Sequence, residues 1–395
     1  MLRLSRISAG IAILAGSLAL AACAPQSSAT RGGTQGSGKP AGGQVDVTKP
    51  IKVAFLAPTT AKNSGAAALG RALVNAARMA ESDLGGVKIE LMILDTGGDT
   101  GQAVRVAKQA IGSGAKIILG PLFSANTKAI ASTAAANDVK VISFSTDSSV
   151  AGDPVFLSGF LPEKEAARVI DFARARGVRE TGILYPLSPA GEVALKGARE
   201  AGGNNLLVET GYERTAPGIV AGTNEFAAKV RSSGAIGLMV AESGKALVFA
   251  MDQLGEKGIE TGDYRFLGLG QWNSRSILGS KRFQNAWFPA PDPDAMNAFV
   301  DRYRSTYGSV PPPLAVLGYD AVAITGQLLA EAKASGSRAP FSSAAITRPQ
   351  GFRGAIGPVR FGRDGRGERG MVILEVGASG FNVIDRAPVA FGAGS

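Results

Sequence analysis

The sequence predicts an α/β protein of two lobes, each an open parallel sheet flanked by helices, with a ligand cleft between them. Three observations carry this. Short apolar runs alternate with helical patterns between Ile51 and Phe144, joined by short connections. The same alternation restarts near Pro154 and continues to Leu269. The residues after the first four expected strands are mostly small and hydroxyl-rich, and ligands of such sheets sit beyond the carboxyl ends of strands.

The elements follow in order. Residues 51–56 form a largely apolar run closed by Ala57-Pro58-Thr59-Thr60, a strand and its stop. Residues 65–82 bring Leu69, Leu73, Ala76, Ala77 and Ala80 to one helical face. Residues 87–94 read as a second strand, and Asp95-Thr96-Gly97-Gly98-Asp99 as its turn. Residues 100–113 follow as a helix with Val104, Ala107 and Ile111 on one face. The stretch 116–127, KIILGPLFSANT, organises the unit. Ile117–Leu119 is a strand, Gly120-Pro121 stops it, and alanine-rich 125–136 is a helix. Unpaired N–H groups and a partial positive charge make a helix start an anion pocket. Ser124 stands at that start, as a ligand contact or as the helix cap. Residues 139–144 are the fourth strand, ending in Ser145-Thr146-Asp147.

In the second unit, strands are expected at 155–158, 180–185, 205–212, 235–240 and 264–269. Helices are expected at 162–176, 190–201, 224–232 and 245–254; the first opens on Pro162 and Glu163, as helix starts prefer. Two successive βα units fit two Rossmann-like lobes with ligand between them and a hinge to close. After Leu278 the pattern changes: an apolar piece at 286–288 precedes helices at Pro293–Tyr307 and 314–334. Strands at 355–361, 370–376 and 381–384 finish the chain, with Asp364-Gly365 as a hairpin turn. Arg360, Arg363, Arg366 and Arg369 read as a solvated turn rather than a binding patch.

Composition removes several function classes. The 395 residues include no histidine and one cysteine. No Ser-His-Asp or Cys-His arrangement exists, a zinc site would need carboxylates alone, and no spacing singles out a carboxylate pair. No catalytic residue, cofactor or metal ligand is therefore expected. The net charge is +10, but no basic stretch is interleaved with aromatics, so nucleic acid is not an expected partner. Arg3 and Arg6, followed by apolar 7–20, form a signal peptide. The Gly-, Ser-, Thr- and Gln-rich stretch up to Lys49 is a flexible tether. Within it Gly33 to Lys39 has P-loop spacing by chance, since Pro40 replaces the required Ser or Thr and no strand precedes it. No later segment reads as long and apolar enough to span a membrane.

Leu20-Ala21-Ala22-Cys23 resembles the lipobox of bacterial lipoproteins, which implies a lipid anchor on Cys23. Ala24, in place of an inner-membrane retention aspartate, implies the outer membrane if the source is Gram-negative. From 51 to 384 the chain resembles type I periplasmic solute-binding proteins of the Leu/Ile/Val-binding class. The resemblance rests on VAFLAPT at 53–59, ILGPLFSANT at 118–127 and the strand into 143–146. AFVDRYRSTYG at 298–308 and LGYDA at 317–321 add to it. It implies three crossings between lobes. The division expected is a signal peptide at 1–22, lipidated cysteine and tether at 23–50, a first lobe at 51–150 plus 283–340, and a second at 151–282 plus 341–390.

The resemblance also implies a site. It puts a ligand carboxylate on Ser124, Ser145 and Thr146. The family's aromatic-glycine pair is replaced here by Pro189-Ala190-Gly191. Where the family has an acid for a ligand ammonium, this chain has Gly270-Gln271-Trp272-Asn273. Glu242 is the substitute, or else a solvated carboxylate at a helix start. Gln271 and Trp272 complete the candidate ligand residues. Gly-Gln-Trp-Asn, the lipobox and the tether also resemble the penicillin-binding protein activator lipoproteins, with Trp272 as an exposed interface anchor or a packed aromatic. The expected function is a non-catalytic lipoprotein of the cell envelope. It would be the solute-binding component of an ABC-type uptake or sensing system, with a permease as partner. Its ligand would be amino-acid-like or another small carboxylate. The alternative is an outer-membrane activator of a peptidoglycan synthase acting by protein contact.

Overall fold

The structure is a computed structural model, and its described residues are 44–392. The signal segment, Cys23 and most of the tether lie outside them. The first half builds β1 (Ile51–Ala57), α1 (Ser64–Ser82), β2 (Ile89–Asp95), α2 (Thr100–Gly112), β3 (Ile117–Leu119), α3 (Ser124–Ala136), β4 (Lys140–Ser143) and β5 (Val155–Leu157). These strands form one parallel sheet in the order β2-β1-β3-β4-β5. Strand alternation sends Val53, Phe55, Ile117 and Leu119 into one core layer and Ala54, Leu56 and Ile118 into the other. Both faces are buried, which is why these strands read as nearly unbroken apolar runs. The expected boundary at 150 moves: Val155–Leu157 pairs with β4 and belongs to the first sheet.

The chain then crosses and builds α4 (Pro162–Ala175), β6 (Thr181–Pro186), α5 (Pro189–Gly202), β7 (Leu206–Tyr212), α6 (Ala216–Ser233), β8 (Gly237–Val240), α7 (Gly244–Glu256), β9 (Arg265–Leu267) and β10 (Trp287–Ala290). Helix α6 starts eight residues before the expected 224. Pro217-Gly218 looks like a loop, yet proline suits the first helical turn and the Thr215 side chain caps it through Gly218 N–H at 3.1 Å. Strand β10 was expected back in the first lobe. It pairs instead with β9, at Trp287 and Leu267, and so stays in the second sheet.

The return over the first sheet is α8 (Pro293–Tyr307) and α9 (Val316–Ser335), then short α10 (Ser343–Ile346). The stretch Pro313–Ser335 is long and apolar enough to cross a membrane, contrary to the sequence reading. Two thirds of it is buried, against α1 and the first core, so it is a core helix. Strands β11 (Phe352–Gly354), β12 (Gly357–Phe361) and β13 (Gly367–Arg369) form a separate antiparallel sheet. It was expected in the second lobe, but its Phe352, Val359 and Phe361 pack into the first-lobe core. Strands β14 (Val372–Val376) and β15 (Phe381–Asp385) close the second sheet, ordered β15-β14-β10-β9-β8-β6-β7.

Helices α1 and α9 touch through glycine. A Cβ on Gly318 would lie 2.2 Å from the Leu73 carbonyl oxygen, a backbone atom that cannot swing away. Gly318→Ala is expected to push the helices apart at a cost of about 1–3 kcal/mol. A denaturation midpoint equal to wild type would show that α9 slides without cost.

Candidate functional site

In the first lobe the loops after β1 to β4 share one edge, because the strands are parallel. Asp95 braces part of it, accepting Thr60 N–H at 3.2 Å, Gly97 N–H at 3.0 Å and the Thr60 hydroxyl. After β3 the chain turns at Gly120, whose φ is +87° and where a Cβ would lie 2.2 Å from the Leu56 carbonyl oxygen. Only glycine fits there. The turn delivers Phe123 as the N-cap of α3, with no side-chain cap bond. Ser124 is therefore the first helical residue and not the cap, which closes that alternative.

The first helical bond runs from Thr127 N–H to the Phe123 carbonyl at 3.0 Å. The N–H groups of Ser124, Ala125 and Asn126 precede it and find no acceptor among the described residues. The Asn126 side-chain amide, 1% exposed, also lacks a partner. Buried hydroxyls join this helix start to the next loop. Thr127 Oγ1 and Ser143 Oγ share a hydrogen bond of 2.8 Å. Ser143 Oγ donates to the Pro121 carbonyl at 3.0 Å and accepts Ser145 N–H at 3.1 Å. Ser145 is buried, and its Oγ accepts Asp147 N–H at 3.1 Å, leaving its own proton to donate. Thr146 is exposed. Ser124, Ser145 and Thr146 thus occupy the ends of two adjacent strands, β3 and β4.

The second lobe presents the loops after β6, β7, β8 and β9 on one edge, since those strands are also parallel. Glu242, just after β8, is buried but not free. It accepts Arg214 Nη2 at 2.9 Å, Arg214 Nε at 3.2 Å, the Tyr212 hydroxyl at 2.7 Å and Ser243 N–H at 2.9 Å. Burial first, and then the neighbouring Glu242 carboxylate, push the Tyr212 phenol far above its ordinary value, so it stays a donor. Gln271 is exposed in the short turn after β9.

Trp272 is fully buried, and the sequence reading of it as a ligand contact or exposed anchor is corrected. Its ring meets Phe283 edge-on at 5.3 Å, and its Nε1 donates to the Val240 carbonyl at 3.2 Å. Gly268 makes room, since a Cβ there would sit 2.2 Å from the indole. A buried indole with its N–H satisfied is a core residue.

The two edges meet at the first crossing. A Cβ on Gly159, just past β5, would lie 2.7 Å from the Ser145 carbonyl oxygen. A few residues on, Glu165 Oε2 accepts Gly270 N–H at 3.1 Å, beside the turn after β9. The same short segment therefore touches the carboxyl edges of both sheets. Glu163 and Glu165 lie in the first turn of α4 at this point. Glu163 is 1% exposed and neither carboxylate oxygen has a hydrogen-bond partner. Burial pushes Glu163 up; burial and then the nearby Glu163 charge push Glu165 up to about 7, against the hydrogen bond from Gly270.

Sequence reasoning missed Arg214, Tyr212 and Glu165. Pro-Glu-Lys-Glu at 162–165 signals a helix start but not the burial of its acids. A different depression, of about 670 Å³, is lined by Asp83, Leu84, Tyr319 and Arg353 at the amino edge of the first sheet, away from both sets of loops. Among the described residues no three acidic, cysteine or histidine side chains gather as metal ligands.

The model of the family described as "Periplasmic binding protein" matches residues 50–381. The chain belongs to the periplasmic binding protein family. Its fold matches that of a Rhodospirillum rubrum protein assigned to branched-chain amino acid ABC transport. That match has a TM-score of 0.71 and 18% identity, over 85% of this chain and 100% of that one. A solute-binding protein of an ABC transporter from Rhodopseudomonas palustris, solved with 3,4-dihydroxybenzoic acid, matches with a TM-score of 0.57 and 19% identity. It covers 86% of this chain and 98% of its own. An uncharacterised Rickettsia prowazekii protein is 30% identical over 124 residues, 31% of this chain and 32% of that protein. The match thus spans about a third of the curated relative's length.

Proposed function

We propose that this member of the periplasmic binding protein family is a non-catalytic receptor for a small carboxylate solute. It would be the solute-binding component of an ABC-type uptake or sensing system in the cell envelope, held by a lipid on Cys23 and handing its ligand to a permease. The observation that carries the reading is the start of α3. Three backbone N–H groups that find no acceptor among the described residues stand there with the Ser124 hydroxyl, and Ser145 and Thr146 follow the adjacent strand β4. Backbone N–H groups and hydroxyls at a helix start complement a carboxylate. Neighbours of this fold were solved with an aromatic acid and with isoleucine, both of which carry a carboxylate.

A free amino acid is a poorer fit. The buried acid that could pair with an ammonium, Glu242, already holds Arg214 and Tyr212. The alternative of a synthase activator rests on the missing ammonium partner and on Ala24 after the lipobox cysteine; the burial of Trp272 removes only the exposed-anchor role from it.

The test is calorimetry on protein unfolded and refolded to strip carried-over ligand, titrated with pooled carboxylates and amino acids. Saturable binding by a carboxylate pool is the expected result. Ser124→Ala combined with Thr146→Ala should weaken it by about 100-fold or more, since each lost hydrogen bond to a charged group is worth about 1.5–3 kcal/mol. Neither side chain is fully buried, so the fold should persist. Unchanged affinity would sink the residue assignment, and no heat from any carboxylate pool would sink the receptor reading.

A further inference from the structure

We propose that the Arg214–Glu242 ion pair sets the ligand class, presenting an oriented guanidinium at the carboxyl edge of the second sheet and selecting a solute with a second carboxylate. This rests on the carboxylate reading of the first-lobe half-site. The argument starts from where Arg214 comes from. It follows β7, the edge strand, while Glu242 follows β8, and β6 lies between them in the sheet. Neighbouring strands are about 4.8 Å apart, so the pair spans roughly 10 Å of the carboxyl edge. Arg214 therefore reaches inward across the carboxyl end of β6.

The pair is asymmetric in exposure. The Glu242 side chain is 3% exposed and that of Arg214 is 56% exposed. The carboxylate spends its oxygens on Arg214 Nε and Nη2, Tyr212 and Ser243 N–H. Arg214 Nη1 makes no hydrogen bond among the described residues, so one end of the guanidinium fork is open to an incoming acceptor. An ammonium approaching this edge meets a shielded acid behind a cation. A carboxylate meets a planar donor already oriented by its partner. Of the other acids on this edge, Glu192 and Glu213 are exposed and matched by exposed Lys245 and Arg275, and Glu165, which accepts Gly270 N–H, is pushed by burial toward its neutral form. Uncapped helix N–H groups and hydroxyls at the carboxyl edge of the first sheet, and a guanidinium at that of the second, are each complementary to a carboxylate.

Calorimetry of the full purified chain with matched probes tests this. The probes are benzoate against benzene-1,4-dicarboxylate, hexanoate against hexanedioate, and leucine. Wild type is expected to bind a dicarboxylate at least tenfold more tightly than its matched monocarboxylate. Arg214→Gln should bring that ratio to within about twofold, with monocarboxylate affinity changed less than threefold. It should also improve leucine binding, because Glu242 is released to meet an ammonium. The double variant Arg214→Gln/Glu242→Gln leaves no unpaired buried charge to threaten the fold. It should lose the dicarboxylate preference without gaining leucine. A dicarboxylate preference that survives in both variants overturns the proposal and leaves the carboxylate reading standing. So does a wild type that prefers leucine to every dicarboxylate while Ser124→Ala/Thr146→Ala still weakens binding by about 100-fold or more. A wild type that binds no probe overturns the carboxylate reading and this inference with it.

Discussion

Replacing Asp320 with alanine is expected to destabilise the fold by about 3–5 kcal/mol, the usual range for breaking a buried ion pair from one side. Asp320 lies in α9 and is fully buried. Its carboxylate accepts Arg369 Nη1 at 2.7 Å and Ala355 N–H at 2.7 Å. Arg369, in β13, also donates from Nε to the Ser158 carbonyl at 2.8 Å and lies 5.0 Å from the centre of the Phe160 ring. One ion pair therefore ties a first-lobe helix to the three-stranded sheet and to the segment that crosses between the lobes. Alanine leaves the arginine charge buried without a counter-ion, and that uncompensated charge dominates the cost. Arg369 Nη2 already lacks a partner, so nothing nearby is placed to take up the loss. Asp320→Asn keeps an acceptor for Ala355 and should lose less. Denaturant titration reads both, as a lower midpoint with an unchanged slope. A loss below about 1 kcal/mol for alanine would show that water reaches Arg369.

The second large effect is on the pH dependence of stability. In the folded chain Glu165 is pushed up to about 7, from an ordinary value of 4.5. Between those values the folded state keeps a proton that the unfolded chain has released. Raising the pH through this window therefore favours unfolding, and the loss is complete once the pH passes the folded value. The size is on the order of 3 kcal/mol, and Glu163, raised in the same direction, adds to it. Asp83, Asp95 and Asp153 are held below their ordinary value of 3.8. Their contribution disappears only on acidification below about pH 4, outside this window. Glu165→Gln keeps an oxygen for the Gly270 N–H and removes the titration. It should flatten the stability profile between pH 5 and 7 and exceed wild type at pH 8 by on the order of 2 kcal/mol. Equal slopes for the two proteins would falsify the assignment to Glu165.

Much of the fold was legible along the chain. Helix α8 and strand β3 have the bounds their patterns predict, because their signals are local: a proline start and glycine stop for one, an apolar run cut by Gly-Pro for the other. The place in the fold of the first-lobe half of the candidate site was legible for the same reason. Ser124 directly follows a strand and a turn, and a strand end is where a parallel sheet presents loops. The second half was not. Trp272 sits in a polar turn by sequence, and only the space made by Gly268 and the ring of Phe283 puts it inside. Glu242 looks like a free acid until Arg214 is seen against it.

The sequence by itself therefore determined the alternation of strands and helices, the start of α3 directly after a strand and turn, and the exclusion of histidine chemistry. Each depends on periodicity, on adjacent residues or on composition. The tertiary structure decided which sheet β5, β10 and β11 to β13 join, that Trp272 is interior, and that the charge of Glu242 is spent on a residue 28 positions away. Those outcomes rest on contacts between distant parts of the chain. Burial and pairing energies choose among partners that local patterns leave equivalent.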